Sequence, residues 1–295
     1  VYGVAYYLHV FHGRIAVVYI YLGEYITVGF QRTVLASFII AGIVVIIAAG
    51  GWMYEGRKAV GIRDRSIAAS AGVSSYFYTM AVSTRTEGFI GNSTVNISSS
   101  TVGNVSIDID RRLMYSPVSI HVRGSSEGEP ISIESTVEMY VLNNTLYTLS
   151  EGMWAKQALE EDAWGNTQLE QEEKVVEGAD VRLAGVETVR GEEAYVLEFR
   201  PDVNAIMEYS VDVAGDMPSL EDEDRIEDYG IKEWVSTESL LPQKSVTEFT
   251  MVSGDVKTLM KITVEYYDYN KPLILDLPVG AAEAEDIAQT ALFTP

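Results

Sequence analysis

The stretch Ile131–Val141, ISIESTVEMYV, decides the fold. Ile131, Ile133, Val137, Met139 and Val141 alternate with Ser132, Glu134, Thr136 and Glu138. Successive side chains of a strand leave opposite faces, so a period of two writes one apolar face and one wet face. A helix would space its apolar residues by three and four. Strands wetted on one side belong to antiparallel sheets with the other side buried.

The signature recurs on both sides of this stretch. Upstream, Tyr76, Tyr78, Met80 and Val82 share a face, Val105, Ile107 and Ile109 alternate with Ser106, Asp108 and Asp110, and Val118, Ile120 and Val122 follow. Downstream, Met260, Ile262, Val264 and Tyr266 repeat it, after a hairpin signal at Ser253-Gly254-Asp255. Two helical stretches interrupt the strands. Thr167–Glu177 is short and very acidic, and a second helix, Asp202–Val213, opens after Pro201 with Asp202 as N-cap and Val203, Ile206 and Met207 on one face. Asp216–Asp228 reads as a solvated acidic loop, and its carboxylates lack the Asp-x-Asp-x-Asp-Gly order of a calcium loop.

The strands stand behind a different kind of sequence. Thr33–Tyr54 is an uncharged run centred on LASFIIAGIVVIIAAGG, long enough as a helix to cross a bilayer. It is expected to be an N-terminal transmembrane helix, with a cleaved signal ending near Ala48-Ala49-Gly50 as the competing reading. Residues 1–32 form a hydrophobic head interrupted by Arg14 and Glu24, read either as a second span or as a start placed too far upstream. Residues 55–70 read as a polar linker, 71–280 as the body and 281–295 as a tail. Arg57, Lys58, Arg63 and Arg65 follow the span, a bias that favours a cytoplasmic body. Sequons at Asn92, Asn96, Asn104 and Asn143 favour export, because glycan acceptors act only on an exported surface. An extracytoplasmic, glycosylated body on a membrane anchor is the expectation.

Composition narrows the chemistry. Among 295 residues there is no cysteine and there are three histidines, which removes disulfides, thiolate metal sites, cysteine nucleophiles and a lipid-modified cysteine. The net charge of −22 repels a phosphate backbone, so nucleic acid is not an expected partner. Gly124–Gly128, GSSEG, matches G-x-S-x-G with Ser126 at the nucleophile position, but a strand pattern follows it where a nucleophile elbow needs a helix. His121 lies between Ile120 and Val122 and so points outward, away from any triad. No catalytic residue, metal ligand or cofactor is expected.

Four further stretches carry a resemblance. Met139–Trp154 (MYVLNNTLYTLSEGMW) has the order strand, turn, strand, tryptophan hairpin. Ala179–Asp202 (ADVRLAGVETVRGEEAYVLEFRPD) is a hairpin leading into a Pro-Asp helix start. Glu233–Gln243 (EWVSTESLLPQ) and Tyr266–Pro278 (YYDYNKPLILDLP) complete the set. In this order, over residues 68–280, the chain resembles the LolA-like surface proteins that include lipoprotein carriers and the LppX/LprG type. The resemblance implies an α+β fold in which a strongly curved antiparallel half-barrel is covered by helices and holds acyl chains between sheet and helices. It places Trp154 and Trp234 at aromatic positions that pack the core. Many relatives attach through a lipidated cysteine, which this chain lacks, so the Thr33–Tyr54 span would take over the anchoring.

Face matching then gives the candidate ligand site: Met80, Val82, Val137, Met139, Met260 and Ile262 on the sheet, opposite Ile206 and Met207 on the covering helix. Methionines suit such a space because their unbranched side chains repack around variable ligands. The expected function is non-catalytic binding of a lipid or other hydrophobic ligand by a membrane-anchored body. The alternative is a regulatory or adhesive ectodomain of the same fold that recognises another surface protein.

Overall fold

Alternation becomes burial along the whole body. In the computed structural model, which describes residues 5–9, 17–21, 56–90, 93–126, 129–159, 180–200 and 225–286, β3 (Ser75–Ile90) and β4 (Ser93–Asp108) run as long partners. β5 (Leu113–Ser126), β6 (Glu129–Leu142), β7 (Thr145–Ser150) and β8 (Met153–Ala158) follow as a meander. A second meander is built from β9 (Asp180–Val189), β10 (Glu192–Arg200), β11 (Arg225–Ser236), β12 (Pro242–Ser253) and β13 (Val256–Tyr267). An antiparallel seam between β13 and β3 joins the two meanders into one large, curved, open sheet.

Register puts most of the apolar residues of these strands on one side, while Ala194 and Val196 of β10 are buried with Trp234 on the other. One row crosses the sheet as Leu197, Glu233, Ser245, Val264, Met80, Gly103, Val118 and Val137. The next is Ile231, Thr247, Ile262, Val82, Thr101 and Ile120. Directly opposed residues share a face, so this inner face collects three apolar clusters. One surrounds Phe249, Met260, Ile262 and Tyr266, a second Val105, Ile107, Met114 and Val141, and a third Val95, Ile97, Ile120 and Val122. Tyr76 and Tyr78 pack against the first two alike and bridge them.

Two glycines are demanded by close approach. A Cβ on Gly88 would lie 2.2 Å from the Asp255 carbonyl oxygen, at the Gly254-Asp255 turn that joins β12 to β13. The residue also has φ of +153°, which a side chain would strain. A Cβ on Gly124 would sit 2.2 Å from the Asn96 carbonyl oxygen. The first glycine of GSSEG therefore serves the β4–β5 ladder. Ser126 pairs with Glu129 of β6, so a strand follows the motif and no nucleophile elbow forms.

Several expectations change. The stretch read as a linker carries a helix: α1 spans Gly56–Ser70, buries Ala59, Ile62 and Ser66 at spacings of three and four, and contacts β9. Its buried stripe is made of small residues beside Arg and Asp, which hid it from a hydrophobicity reading. Within residues 1–32, β1 (Ala5–His9) and β2 (Val17–Tyr21) form an antiparallel pair apart from the main sheet. Arg225–Asp228, read as loop, opens β11. Tail residues Ala281–Glu283 form a 3-10 turn, and β14 (Glu285–Asp286) pairs in parallel with β8. The span Thr33–Tyr54 and the helices Thr167–Glu177 and Asp202–Val213 lie outside the described residues. Among the described residues no helix is long and apolar enough to cross a membrane.

Candidate functional site

The six sheet residues chosen from the sequence meet on the inner face. Met80 pairs with Val264, and Val82 with Ile262; Met260 pairs with Thr84; Val137 pairs with Val118, and Met139 with Ser116. Val82, Val137, Met260 and Ile262 are buried, whereas Met80 and Met139 are half-buried. The β13–β3 ladder places Met80, Val82, Met260 and Ile262 together. Val137 and Met139 lie further along the same face on β6. Ile206 and Met207 fall outside the described residues.

The inner face is not uniformly apolar. A belt of hydroxyls crosses it, and part of that belt satisfies itself: Thr84 and Ser99 share a hydrogen bond of 2.6 Å, Thr86 and Thr258 one of 3.0 Å. The rest does not. Glu233 is 1% exposed, and neither carboxyl oxygen has a hydrogen-bond partner. Its cross-strand neighbour Ser245 and the next residue on that face, Thr247, are fully buried with unpartnered hydroxyls. Burial pushes the Glu233 carboxyl up from its ordinary 4.5 to about 8, so it is largely protonated at neutral pH. The sequence reading missed Glu233 because a charged strand residue reads as solvent-facing. The signal was present in the parity of Ile231, Glu233 and Val235, three residues that alternate with Lys232 and Trp234.

The outer face has the opposite chemistry. Arg182 pairs with Glu198 at 2.5 Å, Lys244 with Glu265 at 3.0 Å and Lys261 with Glu248 at 2.5 Å, each across a ladder. The Trp234 indole N–H donates to Glu187 at 2.8 Å, and Lys232 lies 4.7 Å from the indole ring centre. Trp234 first, and Lys232 with it, hold the Glu187 carboxyl below the usual range. The Trp154 ring packs at a tilt against Tyr140, 5.7 Å between centres, and lies beneath Gly280. Both tryptophans thus pack on the outer face. A cleft of about 1020 Å³ opens beside β9–β13, and its Arg182, Glu198, Lys261 and Glu248 are paired with one another. His121 points outward, 3.6 Å from Glu134. Among the described residues no three His, Asp or Glu side chains converge on a metal position.

No protein-family model matches the chain, and no curated protein matches it. Among solved structures it is similar to the lipoprotein LppX of Mycobacterium tuberculosis, at 12% identity over 74% of this chain and 97% of that one, with a TM-score of 0.36. LprF of Mycobacterium bovis is similar at 13% identity over 75% and 96%, with a TM-score of 0.40. A LolA superfamily protein of Nitrosomonas europaea is similar at 12% identity over 75% and 94%, with a TM-score of 0.23. These neighbours fall in the group that the sequence resembles.

Proposed function

We propose that the body binds a lipid or other hydrophobic ligand against the inner face of its curved sheet, without catalysis. One observation carries the reading: Met80 and Val82 of β3 and Met260 and Ile262 of β13 are brought by the register of one ladder onto a single face. That face mixes large apolar side chains with a few polar groups, the composition of pockets that hold small amphiphilic molecules. Two half-buried methionines on it, Met80 and Met139, can repack around a chain of variable shape.

The proposal includes tethering and sidedness. The Thr33–Tyr54 run would anchor the protein, and the body would lie outside the cytoplasm. In support, Asn96, Asn104 and Asn143 are all exposed, the first two on the outer face of β4 and the third in the turn between β6 and β7. Glycans at these positions would leave the inner face clear. Protease added to intact cells should remove the body while cytoplasmic markers survive; full protection that ends on lysis would reverse the assigned side.

A second reading, recognition of another surface protein by a body with a filled core, is favoured by the complete burial of Ile262 and the 1% exposure of Met260. Native mass spectrometry of the full chain in a non-lipid detergent separates the two. A co-purifying hydrophobic molecule supports ligand binding, and a bare chain that takes up no added lipid supports the filled core.

A further inference from the structure

Glu233 is a carboxyl group in a place where carboxyl groups are rarely left alone. It stands on β11 between Ile231 and Val235, with Leu197 of β10 on one side and Ser245 of β12 on the other. Leu197, Val235 and Ser245 are fully buried. Leaving a buried polar group without a partner costs about 1–3 kcal/mol, and three such groups adjoin: Glu233, Ser245 and Thr247. Part of the same face pairs its hydroxyls, as Thr84 does with Ser99, and Thr101 and Ser150 are single unpartnered hydroxyls on other strands. The clustering of three such groups at one place, a carboxyl among them, points to a partner that these strands do not supply.

We propose that Glu233, Ser245 and Thr247 form the polar end of the ligand site and take the uncharged, hydroxyl-bearing head of an amphiphile, its apolar chain lying along Ile262, Val82 and Met80. The inference rests on the ligand-binding reading above and adds the chemistry of the ligand's head. The neighbours decide that chemistry. Facing Glu233 are Leu197 and Phe199 from β10, Ser245 and Thr247 from β12, and Val264 and Ile262 from β13. The titratable groups on this face of β11 and β13 are Tyr229 and Tyr266, and no described Lys, Arg or His joins them. An anionic head would find no counter-charge there. A cationic head would require Glu233 to ionise against its desolvation. A hydroxyl both donates and accepts, and so can satisfy a protonated carboxyl and two side-chain hydroxyls together.

The test uses the full chain in a non-lipid detergent with three probes that share one hydrocarbon tail: monoolein, oleate and oleylamine. Binding is read by native mass spectrometry and titration at neutral pH, with the thermal midpoint measured on every variant. Monoolein should bind tightest to the parent protein, and Glu233→Leu should weaken it by about tenfold or more, the loss expected when a buried hydrogen-bonding partner is removed. Glu233→Gln, which keeps the shape and the hydrogen bonds, should retain most of the affinity. Exchanging an unpaired buried acid for leucine should not lower the thermal midpoint; if it does, Ser245→Ala and Thr247→Val carry the same comparison, each with weakened monoolein binding expected. Equal binding of all three probes, unaltered in every variant, overturns the assigned head chemistry while leaving hydrophobe binding intact. Preference for oleylamine that Glu233→Gln abolishes overturns it in favour of a cationic head. Binding of none of the probes removes the ligand-binding reading itself.

Discussion

The inner and outer faces of this sheet are written by the same strands, yet they obey different rules. Ile262 and Lys261 are adjacent on β13. Ile262 is fully buried between Thr247 and Val82, whereas Lys261 reaches across the ladder to Glu248 in solvent. Outside, several charged groups pair across the ladders, as Arg182 does with Glu198 and Lys244 with Glu265. Inside, apolar packing dominates, and Glu233, Ser245 and Thr247 are left unpartnered side by side. Solvent can repair a missing contact on the outer face but not on the inner one, which is why unmet hydrogen bonds inside carry information.

The largest expected effect comes from the inner residue of that pair. Ile262→Ala should destabilise the chain by about 2–5 kcal/mol, through lost burial and a residual void. Chemical denaturation of the variant beside the parent measures it, and a loss below about 1 kcal/mol would show that the inner face is already open to solvent.

A pH titration sharpens the comparison next. Glu233 has a folded-state value near 8, raised by burial above the 4.5 of an exposed carboxyl. The folded state therefore holds a proton that the unfolded state has released between those values. Stability from this group is fully present below about pH 4.5, falls as pH rises toward 8 and levels off above it. Glu233→Gln should flatten that part of the profile. An outer carboxylate such as Glu187, held low by Trp234 and Lys232, has the reverse sign: its contribution is present above the ordinary carboxylate range and is lost as pH falls.

Met260→Trp probes the space itself. If the face is tightly filled, the larger ring should cost about 1–3 kcal/mol by overpacking. If a ligand chain occupies that space, uptake should fall with little change in the thermal midpoint, and this is the outcome expected here. The smallest effect belongs to the outer face. Lys261→Ala breaks an exposed pair and should change stability by less than about 1 kcal/mol, an amount reduced further by salt.

Much of the sheet was legible because a period of two is hard to imitate. Ile131–Val141, Tyr76–Val82 and Met260–Tyr266 all lie in strands with the expected face inward, and Gly254-Asp255 turns the expected hairpin. What escaped was structure held by small or polar residues. The buried stripe of α1 is Ala59, Ile62 and Ser66, too short of hydrophobic area to stand out beside Arg63 and Asp64. The start of β11 was hidden by acidic composition and by a register shift between Glu227 and Gly230 that breaks its alternation. Glu233 was invisible for a further reason. Residue type argued for the outside, and only the pairing of its neighbours reveals the inside.

The seam between β13 and β3 has a kinetic consequence. Within each meander, strands pair with the neighbours that precede or follow them in sequence, so their contacts close short loops. The seam instead joins positions such as Thr86 and Thr258, 172 residues apart. Loop closure grows costlier with length, and chains rich in distant pairings fold slowly. Each meander can thus assemble locally while the seam waits. Met80 and Val82 arrive on one meander, Met260, Ile262 and Glu233 on the other. The binding face exists only once that ladder zips, so a bound amphiphile would act as a latch, slowing the reopening of a joint that forms late.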